Sequence, residues 1–163
     1  MSERWLAVPH RTEEFVGGCL PACCQMALAF LGIIRTQRQI AALIGHIEAA
    51  GTPAPNVARL SDWSVDVHYF LWADLNDLQQ GLERGIAVIA FVRTGELPYW
   101  EEDVPHAVVV VGMDTTAGIV YVNDPAFERA PIAVPVGDFT LAWDALGNQC
   151  AMIGQSIVRE NTG

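Results

Sequence analysis

The first half of the chain repeats its apolar residues at helical intervals, and the second half gathers them into short unbroken runs. Over 19–31, Ala22, Met26, Ala29 and Phe30 fall at the spacing of one helix face. Pro21 stands in the first turn, where a missing N–H is harmless, and Gly32 ends the run. A second helix is predicted over 37–44, because Thr36 and Gln39 match a capping box and Gly45 follows the last apolar residue. A weaker helical pattern covers 56–62. A fourth helix, 75–84, has Asp74 as its cap, Leu75, Leu78 and Leu82 as its stripe, and Gly85 as its stop. From residue 86 the period changes. The segments 86–92, 106–111 and 118–123 are short, apolar and rich in branched residues, and they read as strands. A short strand is expected at 132–134, a helix at 137–146 with Asp138 near its start, and a last strand at 151–158 interrupted by Gly154. Helices first and mostly strands afterwards predict an α+β fold, with N-terminal helices packed on a mostly antiparallel C-terminal sheet.

Length and composition fit that picture. A chain of 163 residues, 52% of them hydrophobic, is expected to form one domain over 1–163 with a well-filled core. No internal repeat, low-complexity tract or linker interrupts it, and Thr52-Pro53-Ala54-Pro55 reads as a loop.

Charge narrows the function. Nine Lys and Arg against 19 Asp and Glu give a formal charge of −10, and no basic stripe appears. Nucleic-acid binding needs a positive footprint, so it is set aside, and an anionic membrane surface is disfavoured for the same reason. Residues 1–10 lack a signal-peptide core. The most apolar stretch, 19–34, is interrupted by Gln25 and is too short for membrane insertion. Three of the four cysteines, Cys19, Cys23 and Cys24, lie within six residues, with Cys150 far away. That is a poor disulfide framework, and it points to a reducing, cytoplasmic setting.

The candidate chemistry begins at Cys19. A thiol attacks as its thiolate, and a helix N-terminus favours that anion. Cys19 follows Gly17-Gly18, which would let a substrate backbone come close, and opens the predicted helix. Its bland alternative is a small buried hydrophobe, the role expected of Cys23, Cys24 and Cys150. His106 opens a strand behind the charged loop holding Glu101, Glu102 and Asp103, where a ring nitrogen can accept a thiol proton and later return it; a surface or capping role is the alternative. Strands 106–111 and 118–123, joined by a short loop containing Gly112 and Gly118, should pair antiparallel, which sets His106 beside Asn123 and Asp124. A carboxylate there can fix the imidazole tautomer, although Asn-Asp-Pro is also a common turn. Zinc is a poor match, since Cys-x3-Cys-Cys on one helix lacks a second ligand pair.

These residues resemble a known group. Gly18-Cys19-Leu20-Pro21-Ala22-Cys23, with Met26-Ala27-Leu28 and Gly32, is similar to the Asp-Cys-Gly-Pro-Ala helix of the bacteriocin-processing, double-glycine cysteine peptidases and their stand-alone relatives. Val8-Pro9 resembles their opening strand. The helix-Gly-strand unit over 78–92, the strand His106-Ala107-Val108-Val109-Val110-Val111-Gly112, the strand end Val120-Tyr121-Val122-Asn123-Asp124-Pro125 and the helix over 139–143 complete a likeness running from about 8 to 154. The resemblance implies a papain-like fold and a Cys19–His106–Asp124 triad acting on peptide or protein substrates, typically after small residues such as glycine, with no cofactor and no metal. It also marks departures. Glu13 stands where the family commonly has an oxyanion-hole Gln, and an ionised Glu only accepts hydrogen bonds. Gly18 replaces the Asp before the nucleophile, and Leu20 replaces the Gly after it. Two readings follow: a cysteine peptidase, or a papain-like domain that binds a peptide or partner protein with little turnover. Oligomeric state is unknown from sequence.

Overall fold

Capping fixes the helix ends where the sequence places them. The computed structural model describes residues 5–156. α1 is Cys19–Phe30 and α2 is Gln37–Ile44. The Thr36 hydroxyl accepts the Gln39 N–H at 3.0 Å, and the Gln39 side chain accepts the Thr36 N–H at 2.9 Å. Gly45 closes α2 in the left-handed conformation at φ 72. The 56–62 pattern becomes a 3-10 segment, Ala54–Trp63, with a proline in its first turn. α3, Leu75–Glu83, carries a reciprocal Asp74–Asp77 box and is followed by Gly85 at φ 76.

Six strands form one sheet in the order β1-β6-β2-β3-β4-β5. They are β1 Val65–Phe70, β2 Val88–Arg93, β3 Pro105–Asp114, β4 Ile119–Asn123, β5 Ile132–Pro135 and β6 Cys150–Gln155. Every neighbouring pair is antiparallel. β1 is an edge strand outside the sequence expectations. β3 runs on through Gly112 before the hairpin turns. The last strand ends at Gln155, and residues 157–158 of its expected range lie outside the described residues.

The expected mixture of helices and a mostly antiparallel sheet is what forms, with the sheet covered on both faces. Ile89, Phe91, Ala107, Val109 and Val111 join α1, α2 and the 3-10 segment in one core. Their neighbours Val88, Ala90, Val92, Val108 and Val110 join a second core around Leu78 of α3 and Phe139 and Trp143 of α4 (Val136–Asp144). Side chains alternate across a strand, so a strand buried on both faces reads as a continuous apolar run. That explains the unbroken valines of β3.

The stretch before α1 is held without forming a strand. The Leu6 N–H donates to the Val111 carbonyl at 2.8 Å, beside the irregularity between Val110 and Gly112 where β3 pairs with β4. The Asn123 amide donates to the Val8 carbonyl at 3.2 Å. Gln37, 1% exposed, donates to the Thr12 carbonyl and to Gln25 Oε1 and accepts the Glu14 N–H, at 2.9, 3.0 and 3.0 Å. One buried amide therefore ties residues 12–14 to α1 and α2. Gln37→Ala removes all three of these hydrogen bonds, and it should lower stability by about 2–3 kcal/mol. The check is a urea titration in which the midpoint falls while the slope is unchanged.

Candidate active site

Cys19 is the first residue of α1, where the opening N–H groups have no intrahelical partner. Its entry is shaped by packing. A Cβ at Gly18 would lie 2.8 Å from the Phe15 carbonyl and 2.9 Å from the Phe15 ring, so only glycine fits. Gly18 is buried against Phe15 and does not face the cleft. Gly17, at φ 73, makes the preceding turn. Leu20 is 3% exposed; it sits in the α1 core and shows one side to the cleft. All four cysteines are free, and Cys19 alone is partly exposed. Burial pushes the Cys23 and Cys24 thiols well up and Cys150 up to about 12.

His106 and Asp124 meet because of strand register. Asn123 pairs with Val109. One step further along that register, Asp124 stands opposite Val108, on the same side of the pleat as His106, as a diagonal neighbour. His106 Nε2 donates to Asp124 Oδ1 at 2.7 Å, with His106 7% and Asp124 0% exposed. Cys19 and His106 line the same cleft, and the second ring nitrogen is not engaged by Asp124. Burial alone would lower the imidazole pKa. The hydrogen bond to Asp124, its negative charge and the neighbouring Cys19 outweigh it and raise His106 to about 10. Burial alone would raise the Asp124 carboxyl. The His106, Trp100 and Ala126 N–H groups hold it below the ordinary carboxylate range.

Two further donors, absent from the sequence expectations, converge on Asp124. Tyr99 Oη and Trp100 Nε1 donate to Oδ2 at 2.8 and 2.9 Å. The signal for them was faint: an aromatic pair inside an acidic loop, whose polar tips need partners once buried. Glu13 lies near both His106 and Asp124. Its N–H donates to the Pro125 carbonyl at 2.8 Å. Partial burial raises its carboxyl pKa, the His106 charge works against that rise, and the Asp124 charge adds to it. Asn123 is not aimed at the reactive pair, since its amide is committed to Val8.

A cleft of about 270 Å³ opens beside Cys19 and His106. Gly17, Ala50 and Gly51 form one wall; Leu20, Phe91 and Leu146 are apolar, and Gln149 is held by the Tyr69 hydroxyl. A larger groove of about 410 Å³ lies between the N-terminal stretch and α3 and contains neither thiol nor imidazole. Among the described residues no three His, Cys, Asp or Glu side chains gather as a metal site, and no helix is long and apolar enough to cross a membrane.

The model of the Peptidase_C39 like family matches residues 4–151. The chain belongs to this family. Solved structures share the fold. A Bacillus anthracis protein assigned as a C39-like peptidase superposes with TM-score 0.75 at 18% identity, over 94% of this chain and 98% of that one. A double-glycine-motif protease from the AMS/PCAT transporter, solved with its leader peptide, gives 0.67 at 17% identity, over 95% and 96%. The peptidase domain of Streptococcus ComA, an ABC transporter, gives 0.68 at 14% identity, over 90% and 98%. No curated protein sequence matches. Membership of this C39-like family and the shared fold support a cysteine-peptidase kind of function.

The His106–Asp124 pair links proton binding to folding. His106 holds its proton more tightly when folded, so its stabilisation is whole below its ordinary value of 6.5 and is lost as pH climbs toward about 10. Asp124 acts oppositely. Its stabilisation is present above 3.8 and is lost as pH falls below that. Urea midpoints of the wild type should decline between pH 6.5 and 8.5, before free thiols titrate. The His106→Gln profile should be flatter over that window; parallel profiles would count against the coupling.

Proposed function

We propose that the chain hydrolyses peptide bonds with Cys19 as nucleophile, His106 as general base and then acid, and Asp124 as the group that orients the imidazole. The observation that carries this reading is the buried bond from His106 Nε2 to Asp124 Oδ1 at 2.7 Å, made at the edge of the cleft that Cys19 and His106 both line. Nε2 carries a proton for the carboxylate, which leaves the other ring nitrogen to take the thiol proton. The sulfur then adds to the substrate carbonyl. His106 protonates the leaving amine, and a water molecule, deprotonated by His106, releases the acyl group from Cys19. The Cys19 N–H, free at the start of α1, is available to the developing oxyanion.

The short Gly17-Ala50-Gly51 wall lets an extended peptide lie close to the thiol, which supports small residues such as glycine before the cleaved bond. The free cysteines support a reducing, cytoplasmic setting. Glu13 favours a second reading, peptide binding with little turnover, because its ionised form repels an oxyanion.

Iodoacetamide labelling from pH 5 to 9, with the modified cysteine located by mass spectrometry, separates the two. Fast labelling of Cys19 at pH 6, abolished by His106→Ala in a protein that still folds, is the expected result. Labelling no faster than a model thiol would move the reading to a binding domain. Glu13→Gln replaces a group that accepts at neutral pH with a permanent donor. If Glu13 faces the oxyanion, hydrolysis of a peptide substrate at pH 7 should rise by about ten- to a hundredfold. An unchanged rate would remove Glu13 from that position.

A further inference from the structure

We propose that Tyr99 and Trp100 are positioning residues that hold Asp124 as a bare carboxylate aimed at His106, and so keep the imidazole turned toward Cys19. The inference rests on the triad reading above and adds to it the loop between β2 and β3.

The geometry divides the work of the two carboxylate oxygens. Oδ1 receives His106 Nε2 at 2.7 Å and the Ala126 N–H at 2.9 Å. Oδ2 receives Tyr99 Oη at 2.8 Å and Trp100 Nε1 at 2.9 Å. A buried carboxylate keeps its charge only if its oxygens are satisfied, and these two side chains satisfy the one that His106 does not reach. The Trp100 ring also stands against the imidazole, with centroids 4.9 Å apart and planes at 63°. It shields the His106–Asp124 bond from water. Phe127, in the turn after Asp124, packs edge-on to both aromatics at 5.2 and 5.3 Å.

The loop is built to fix these rings. Thr94, 0% exposed, donates its hydroxyl to the Glu102 carbonyl at 2.6 Å and accepts the Val104 N–H at 2.9 Å. Asp103 Oδ1 accepts Arg93 Nε and the Gly95 N–H, each at 3.2 Å. Leu97, 2% exposed, anchors the middle of the loop. If the rings only packed, phenylalanine would serve at both positions. The two polar tips meeting on one oxygen are what point beyond packing. Without them Asp124 would take up a proton more readily, and a neutral carboxyl no longer supports an imidazolium. The titratable groups facing this site are His106 on β3, Cys19 and Cys23 on α1, Glu13 before α1, Tyr99 itself, and Arg129 beyond the turn. Glu13 is present in every protein compared below, so differences between them report the donors.

The test uses the full chain as wild type, Tyr99→Phe, Trp100→Phe and the double variant. Each variant keeps a ring and removes a donor. Iodoacetamide labelling of Cys19 is followed from pH 4 to 9. The acid limb of the wild-type profile should move up by about one pH unit in the double variant, with smaller shifts in the single ones. Well below the limb this is a loss of about tenfold in labelling rate. An unmoved limb, in a wild type that does label fast, overturns the positioning role and leaves the triad reading standing. Slow wild-type labelling overturns the triad reading instead. In that case, or where the double variant does not fold, the Asp124 carboxyl is titrated by carbon-13 NMR in wild type and Tyr99→Phe. Protonation at higher pH in the variant supports the clamp on Asp124, and coincident titrations overturn it.

Discussion

A carboxylate with no exposed surface forces its surroundings to answer for its charge. Asp124 is such a group, and four donors from three places in the sequence meet on it: a strand start, a turn, and two neighbouring aromatic side chains of a loop. Burying a charge without partners is far more costly than one ordinary hydrogen bond is favourable, so each donor constrains the segment that carries it. The beginning of β3, the loop over 94–104 and the turn over 124–127 are consequently one mechanical unit. The stretch before α1 joins it through the Glu13 N–H on the Pro125 carbonyl and through His10, whose Nε2 donates to the Phe127 carbonyl at 2.6 Å. Two units are therefore brought face to face. One is the turn around Asp124, and the other is the helix start that bears Cys19.

The second unit is held by different means. α1 is apolar almost throughout and lies against β2 and β3, with its first turn pinned by Phe15 and its flank by the buried Gln37 amide. The sheet beneath is rigid because both of its faces are packed. A strand with cores on both sides cannot slip its register without exchanging two sets of contacts. That is what lets a pairing several residues away, Asn123 with Val109, determine where His106 and Asp124 meet.

Much of this was legible in the chain. The capping boxes at Thr36 and Asp74, the change of period at residue 86 and the hairpin of β3 and β4 follow from local rules, and the meeting of His106 with Asp124 follows from the hairpin alone. What escaped did so for physical reasons. β1 alternates as Val65, Asp66, Val67, His68, Tyr69, Phe70, an edge-strand pattern that lacks the dense apolar runs of the inner strands. The helices α3 and α4 were readable, but not the face they cover, because an unbroken apolar run says that a strand is buried without saying what buries it. Tyr99, Trp100 and Gln37 act through contacts 12 to 25 residues away in sequence. No periodicity encodes such contacts; only the closed fold does. Asn123 shows the converse. Its place beside Asp124 was clear from sequence, but its amide serves the N-terminal stretch.

The departures from the family motif at Gly18 and Leu20 can be understood on the same terms. Before Cys19, Phe15 packs so closely on Gly18 that no Cβ fits, and the turn is fixed by contact. After it, where the resemblance leads one to expect glycine, Leu20 drives most of its surface into the α1 core and anchors the first turn. Both changes trade hydrogen bonding or openness for apolar packing at the point where α1 begins. They also bear on selectivity among the thiols. Packing that is tight enough to bury Cys23 and Cys24 completely leaves Cys19 as the sulfur that reaches the cleft. A desolvated thiol surrounded by other acidic groups keeps its proton, so the way the helix is packed leaves Cys19 as the accessible thiol among the four.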